Sequence, residues 1–290
     1  HTIFDQDITM LATQYKCTTD EMKERLKLQY DGYHFSENQV DIYNPFSILK
    51  AFSQKKIAPY WFESGTPTYL IHQMRRFHTE ITSLDNVSAI ASDFDQPTEG
   101  MTDALPLLYQ SGYLTIKEYN EDLEKYTLGI PNNEVRVGLT ANLLPLYTYP
   151  STYRSSSLIM QFHEAIYYED LEKALTILRA YLAGIPYPEG GKEVLENMEK
   201  NEYYYETIFY LIFSFMNRHI QTQVKTCRGR ADMIMYTAKA IYIFELKINK
   251  PAEEALKQIN EKGYMIPYTA DGRKLVKCGI SFSTQTRTIE

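Results

Sequence analysis

The 290 residues carry 30 Lys+Arg against 37 Asp+Glu, a formal net charge of −7, with 44% hydrophobic and 23% charged residues. That balance excludes a disordered chain, and the acid excess argues against a protein that coats nucleic acid by charge alone. The length suits one large domain or two ordinary ones, and two are expected.

The longest apolar run, Ile208 to Met216, is too short to cross a bilayer and is interrupted by Ser214, so no membrane span is expected. Cys17, Cys227 and Cys278 are odd in number, widely spaced and free of any Cys-x-x-Cys pattern, which points to a reducing cytoplasm rather than a disulfide or zinc framework. The chain begins at His1 with no charged-then-apolar leader, as a tag remnant or cut site would leave it. Charge is unevenly spread: Lys192 to Glu290 hold 15 Lys+Arg and 12 Asp+Glu, leaving 15 and 25 for residues 1–191.

In chain order, Thr19 to Leu28 reads as a helix capped by Thr18 or Thr19, and Pro45 to Phe52 as a helix opening on Asn44 and Pro45. Leu105 to Ser111 predicts a further helix. It is followed by a hairpin whose arms are Tyr113 to Tyr119 and Lys125 to Ile130 around the polar turn Asn120 to Asp122. A winged helix ends with a helix before a hairpin, and so does many an ordinary α+β domain. The polar, Pro-containing stretch Thr148 to Ser157 marks a domain boundary, and Gly184 to Gly191 a second hinge. Between them Leu158 to Leu182 reads as helical, with Leu171, Leu175, Leu178 and Leu182 at helical spacing.

From Glu199 the expected order is helix, three strands, helix, strand: Glu199 to Asn217, then Gln221 to Arg228, Ala231 to Tyr236 and Ala240 to Ile248, then Pro251 to Lys262, then Lys274 to Ser283. The second helix has Pro251 in its first turn, Glu253 and Glu254 near its positive end and Gly263 just past its close. Along Ile241 to Ile248 alternate residues share a face, which puts Ile241, Ile243, Glu245 and Lys247 together. Both faces begin apolar, as on a central strand covered on both sides, and two charges at the end of such a strand need a reason.

Metal-assisted phosphodiester hydrolysis supplies one. Oxygen ligands hold Mg²⁺ or Mn²⁺, the ion polarises phosphate and activates water, and a lysine steadies developing charge. Glu245 would be a ligand and Lys247 the cation. Asp232, which begins the preceding strand after the turn Arg228-Gly-Arg230, would be the second carboxylate, and the backbone carbonyl of Leu246 a further ligand. The plain alternative is a structural Glu245–Lys247 ion pair with Asp232 as a turn residue. The turn, the buried strand and the capped helix carrying Gln258 together favour the metal site.

These residues resemble the PD-(D/E)XK nuclease-like domain at the C-terminus of a bacterial family of AAA-type ATPases. The resemblance is carried by Tyr205-Glu-Thr-Ile-Phe-Tyr210, Gly229-Arg-Ala-Asp232, Phe244-Glu-Leu-Lys247, Ala255-Leu-Lys-Gln-Ile259 and Lys262-Gly-Tyr264. In the N-terminal part it rests on Tyr30-Asp-Gly-Tyr-His-Phe35, Tyr43-Asn-Pro-Phe-Ser47 and Tyr60-Trp-Phe-Glu-Ser-Gly-Thr66. It implies an α+β chain. Residues 1–150 would be a helical, winged-helix-like tail of the ATPase, residues 151–195 a helical linker, and residues 196–290 an α/β, restriction-endonuclease-like domain.

The resemblance further implies Asp232 and Glu245 as metal ligands, Lys247 as the catalytic lysine and Gln258 as a site-lining residue. Glu202 is the preferred first-helix carboxylate, with Glu206 one turn on as its alternative, and Arg230 and Arg228 are the expected phosphate contacts. At Gln223 many relatives would carry Glu, which leaves one or two metals open. The implied activity is a metal-dependent nuclease on DNA, the effector end of a larger ATPase–nuclease protein. The competing reading is a non-catalytic nucleic-acid or protein interaction module that retains the fold. The aromatic cluster Tyr30, Tyr33, Phe35, Tyr43, Phe46, Tyr60 and Trp61 reads as packing rather than a base-stacking surface, and His34 as a satisfied turn or core residue.

ATP is not an expected ligand of this chain, and the ATPase core would be missing or separate. The one Gly-Lys, Gly191-Lys192, has Pro186 where the first glycine of a phosphate loop belongs and Glu193 where its hydroxyl belongs. Oligomeric state is not legible in the sequence.

Overall fold

The computed structural model describes residues 4–37, 40–64, 67–148, 152–185, 202–215, 220–226, 229–237, 239–283, 285–286 and 288–289. The chain divides into two compact units, His1–Asn142 and Leu143–Glu290, and mixes helix with two sheets. Among the described residues no helix is long and apolar enough to cross a membrane.

The first unit opens with α1 (Asp5–Gln14), α2 (Thr19–Tyr30) and α3 (Pro45–Gln54). Thr18 caps α2 reciprocally: its Oγ1 accepts from the N–H of Glu21 at 3.2 Å, and Glu21 accepts from the N–H of Thr18 at 2.8 Å. Asn44 Oδ1 accepts from the N–H groups of Phe46 and Ser47, and Pro45 follows where no donor is needed. The three helices bury Leu11, Met22, Leu26, Tyr30, Ala51 and Tyr60 in one cluster. Tyr30 and Tyr60 are thus core residues, while Phe35 and Phe46 of the same motifs are exposed. His34 is held at both ring nitrogens, 2.7 Å from the Ile116 carbonyl and 2.7 Å from Asp41 Oδ1, which is a satisfied core residue.

Next come α4 (Thr68–Arg76), β1 (Val87–Ala89), α5 (Ala91–Phe94), α6 (Leu105–Gln110), β2 (Thr115–Asn120) and β3 (Lys125–Gly129). The strands form an antiparallel sheet in the order β1-β3-β2. The hairpin and its preceding helix stand where the spacing predicts them, whereas β1 has three residues, too few to show a period. α7 (Asn133–Thr148) follows, and the division between the units falls within it. Glu134, fully buried, accepts at Oε1 from the N–H of Tyr60 at 2.6 Å and of Trp61 at 3.1 Å.

The second unit contains α8 (Thr152–Tyr167), α9 (Leu171–Ala183), α10 (Glu202–Phe215), β4 (Ile220–Thr226), β5 (Gly229–Tyr236), β6 (Ala240–Ile248), α11 (Ala252–Glu261), β7 (Lys274–Ser283) and β8 (Thr288–Ile289). The stretch that reads as helical over Leu158 to Leu182 is helical in two pieces. Glu169 takes a left-handed φ of 62°, and Asp170 then caps α9 by accepting from the N–H of Lys173 at 3.0 Å.

Phe162 of α8 packs edge-on against Phe213 of α10 with ring centroids 5.3 Å apart, and Thr288 of β8 bonds the Arg179 carbonyl of α9. Both helices fall in the compact unit Leu143–Glu290. The hinge residues 186–191, the Gly191-Lys192 pair and Arg228 lie outside the described residues.

The five strands order as β4-β5-β6-β7-β8. β6 lies between antiparallel β5 and parallel β7, the central position its apolar faces require. On one face Phe213 and Phe209 of α10 meet Phe244 and Phe282. On the other, Ile241 and Ile243 pack with Ile259 and Tyr264 of α11 and its exit.

Candidate metal and phosphodiester site

The site forms where apolar β6 runs out. Residues Ala240 to Phe244 are buried, and Glu245 is only 1% exposed, so the strand carries a carboxylate into the interior. The register Met233↔Phe244, continued by one residue, brings Asp232 opposite Glu245. Asp232 Oδ2 accepts from the N–H of Leu246 at 2.9 Å, which ties the start of β5 to the end of β6.

Glu245 Oε1 accepts from Lys247 Nζ at 3.1 Å and from Gln258 Nε2 on α11. Gln258 Nε2 also donates to Tyr264 Oη at 3.3 Å, so the amide is held between α11's exit and the strand. Glu245 Oε2, in contrast, is buried with no hydrogen-bond partner among the described residues. Burial, and secondarily the charge of Asp232, push the Glu245 carboxyl up to about 7 against the opposing pull of Lys247. The arrangement adds to the Glu245–Lys247 ion pair a second carboxylate beside the first and a buried oxygen open to a further partner.

A cavity of about 30 Å³ opens here, lined among others by Glu206, Tyr210, Asp232, Glu245 and Leu246. Its size suits a single ion or water rather than a nucleotide. Among the described residues Glu206 is the carboxylate of α10 that lines the cavity; the side chain of Glu202, the preferred one in sequence, lies outside the described residues. The same holds for the side chains of Arg230 and Gln223. Arg230 is placed on β5 opposite Lys225, and the β4–β5 register leaves Gln223 as the position facing Asp232.

Among the described residues no three His, Cys, Asp or Glu side chains form a ready-made metal cage. Mg²⁺ does not require one: it binds through one or two carboxylates and keeps waters and substrate phosphate in its remaining positions. Asp232, Glu245 with its unpartnered Oε2, and Glu206 at the cavity wall fit that donor chemistry.

Residues 200–290 match the model of the PD-(D/E)XK nuclease superfamily. The helix–three strands–helix–strand order, with Asp232 and the Glu245-Leu-Lys247 triplet at the strand ends, lies within the matched range. The chain is also similar to an "Uncharacterized protein in vnfD 5'region" of Azotobacter chroococcum mcd 1, at 29% identity over 271 residues. That match covers 92% of this chain and 51% of the relative, so the chain spans about half the length of the protein it matches. No solved structure matches it.

Sequence reasoning passed over Gly279, which pairs with Glu245 across β6 and β7. The available signal was a glycine inside a strand, which marks a bulge or a close approach by another element.

Proposed function

We propose that the PD-(D/E)XK domain hydrolyses phosphodiester bonds of nucleic acid, DNA in the first instance, with Mg²⁺ or Mn²⁺ held by Asp232 and Glu245. The observation that carries this reading is a buried Glu245 that lines a small cavity together with Asp232, bonds Lys247 through Oε1 and leaves Oε2 without a partner among the described residues. A divalent ion there would supply Lewis-acid activation of phosphate and an activated water.

The chain's own groups divide the remaining tasks. Gln258 and Lys247 fix Oε1 of Glu245 and so aim Oε2. The N–H of Leu246 fixes Asp232. Lys247, 20% exposed at its side chain, can turn N–H donors toward phosphate oxygens as negative charge builds on them. Glu206 offers a third carboxylate to position water. Arg230 and Arg228 are proposed as backbone-phosphate contacts that raise affinity without choosing a sequence.

The order α4-β1-α5-α6-β2-β3 with sheet order β1-β3-β2 supports a winged-helix-like module in the first unit. Between Phe77 and Ile130 ten Asp and Glu stand against Lys117 and Lys125, a balance that repels phosphate. Substrate binding is therefore assigned to the second unit. The half of the Azotobacter relative outside the match is where an ATPase core would be sought.

The test is cleavage of supercoiled plasmid, single-stranded DNA and RNA by the full chain in Mg²⁺ and in Mn²⁺, beside Lys247→Ala. Wild type is expected to cut DNA. The variant is expected to lose turnover while its DNA affinity falls only several-fold, because a cation aimed at transition-state charge contributes mainly to rate. Binding without cleavage of any substrate would instead favour the non-catalytic module. Equal cleavage by both proteins would make Lys247 structural.

A further inference from the structure

β7 runs parallel to β6, and Gly279 is the register partner of Glu245. Paired residues on neighbouring strands share a face, and here that face meets α11. Glu245 touches Gln258 on it. A β-carbon built at Gly279 would stand 2.6 Å from the Ala252 carbonyl oxygen, 2.9 Å from Leu256 Cγ and 3.2 Å from Ala255 Cβ. Gly279 does not have a left-handed φ, so space rather than backbone freedom calls for glycine.

Of those three contacts, the leucine side chain can turn aside. The Ala252 carbonyl and the Ala255 β-carbon move only with the helix. Restoring ordinary van der Waals separation would lift α11 by on the order of 0.5–1 Å. Site geometries tolerate about 0.5 Å. The lift would carry Gln258 with it and free Oε1 of Glu245 to follow Lys247 alone.

We infer that Gly279 is a positioning residue of the Asp232–Glu245 site: it lets α11 rest directly on β7 and thereby fixes the Gln258 amide against Glu245. The inference builds on the reading of that site as metal-binding, but its first readout needs no metal. In the metal-free full chain, the Gln258 side-chain amide is a half-buried donor to a buried carboxylate. Its ¹⁵N–¹H signals, assigned by their loss in Gln258→Ala, should be shifted and slow to exchange.

In Gly279→Ala those signals are expected to move to solvent-exposed positions while the circular dichroism spectrum is unchanged. Mn²⁺ affinity by calorimetry, and DNA cleavage, should fall roughly 10–100-fold, as for loss of an outer-shell partner. The double variant Gly279→Ala/Gln258→Ala should be no worse than Gln258→Ala alone. An unmoved Gln258 signal, or losses that multiply in the double variant, would overturn the inference. Should Gly279→Ala not fold, Gly279→Ala/Leu256→Ala removes the Leu256 contact and leaves the carbonyl clash. The Gln258 signal must move there too, or the inference fails. A displaced signal in a chain whose wild type neither binds Mn²⁺ nor cleaves would keep the positioning role and sink the nuclease reading instead.

Discussion

Glu245→Gln tests whether the buried carboxylate is a stability cost held in reserve for a cation. The folded carboxyl titrates at about 7 against an ordinary value of 4.5. A raised acid binds its proton more tightly in the folded state than in the unfolded one. Between those two values the native protein therefore carries more protons, and stability falls as pH rises. The loss is complete above about 7 and absent below 4.5. At about 1.4 kcal/mol per pH unit the full shift corresponds to an upper bound of about 3 kcal/mol in the metal-free protein. Glutamine keeps the shape and cannot ionise, so the variant should lack this slope. Amide hydrogen exchange at Ile243 and Phe244, read from pH 5 to pH 8 after correction for the intrinsic pH dependence of exchange, follows local stability of β6. Wild type should lose protection with rising pH relative to Glu245→Gln. Mg²⁺, which binds the ionised form, should restore protection by about 2.7 kcal/mol at a hundredfold excess over its Kd. Parallel profiles for the two proteins would show that Glu245 is not held in a costly state and would refute the reasoning.

Asp232→Ala removes both a proposed ligand oxygen and the acceptor for the Leu246 N–H; calorimetry should show Mn²⁺ binding at least tenfold weaker, and unchanged binding would remove Asp232 from the proposed site. In the first unit, Gly138→Ala would place a β-carbon 1.8 Å from Phe62 Cε2. Overpacking of about 1–3 kcal/mol should then exceed the gain of roughly 1 kcal/mol in helix propensity, and a urea midpoint equal to wild type would contradict that packing. The chain is expected not to bind ATP, for want of a phosphate-cradling loop; micromolar binding by calorimetry would reveal a nucleotide site its sequence does not spell.

What the sequence determined by itself was local. Thr18 with Glu21, and Asn44 with Pro45, carry their helix starts in a few adjacent residues, because the capping groups and the amides they satisfy are neighbours in the chain. The alternation along β6 likewise told which side chains Glu245 and Lys247 share a face with, since a strand's period is a property of its own backbone. The short polar break between the Ala231–Tyr236 and Ala240–Ile248 runs makes those two strands sequential neighbours, and their antiparallel register sets Asp232 opposite Glu245.

Tertiary structure decided whatever depended on distant partners. That Glu206 stands at the cavity wall depends on how α10 is rotated over the sheet. That rotation is set by Phe213 against Phe162 and Phe244, which no spacing within α10 spells out. The break at Glu169 arises where α8 and α9 fold back on each other. Gly279 became legible only once β7 lay parallel beside β6 and α11 came down on both, because a missing side chain acquires meaning from what occupies its place.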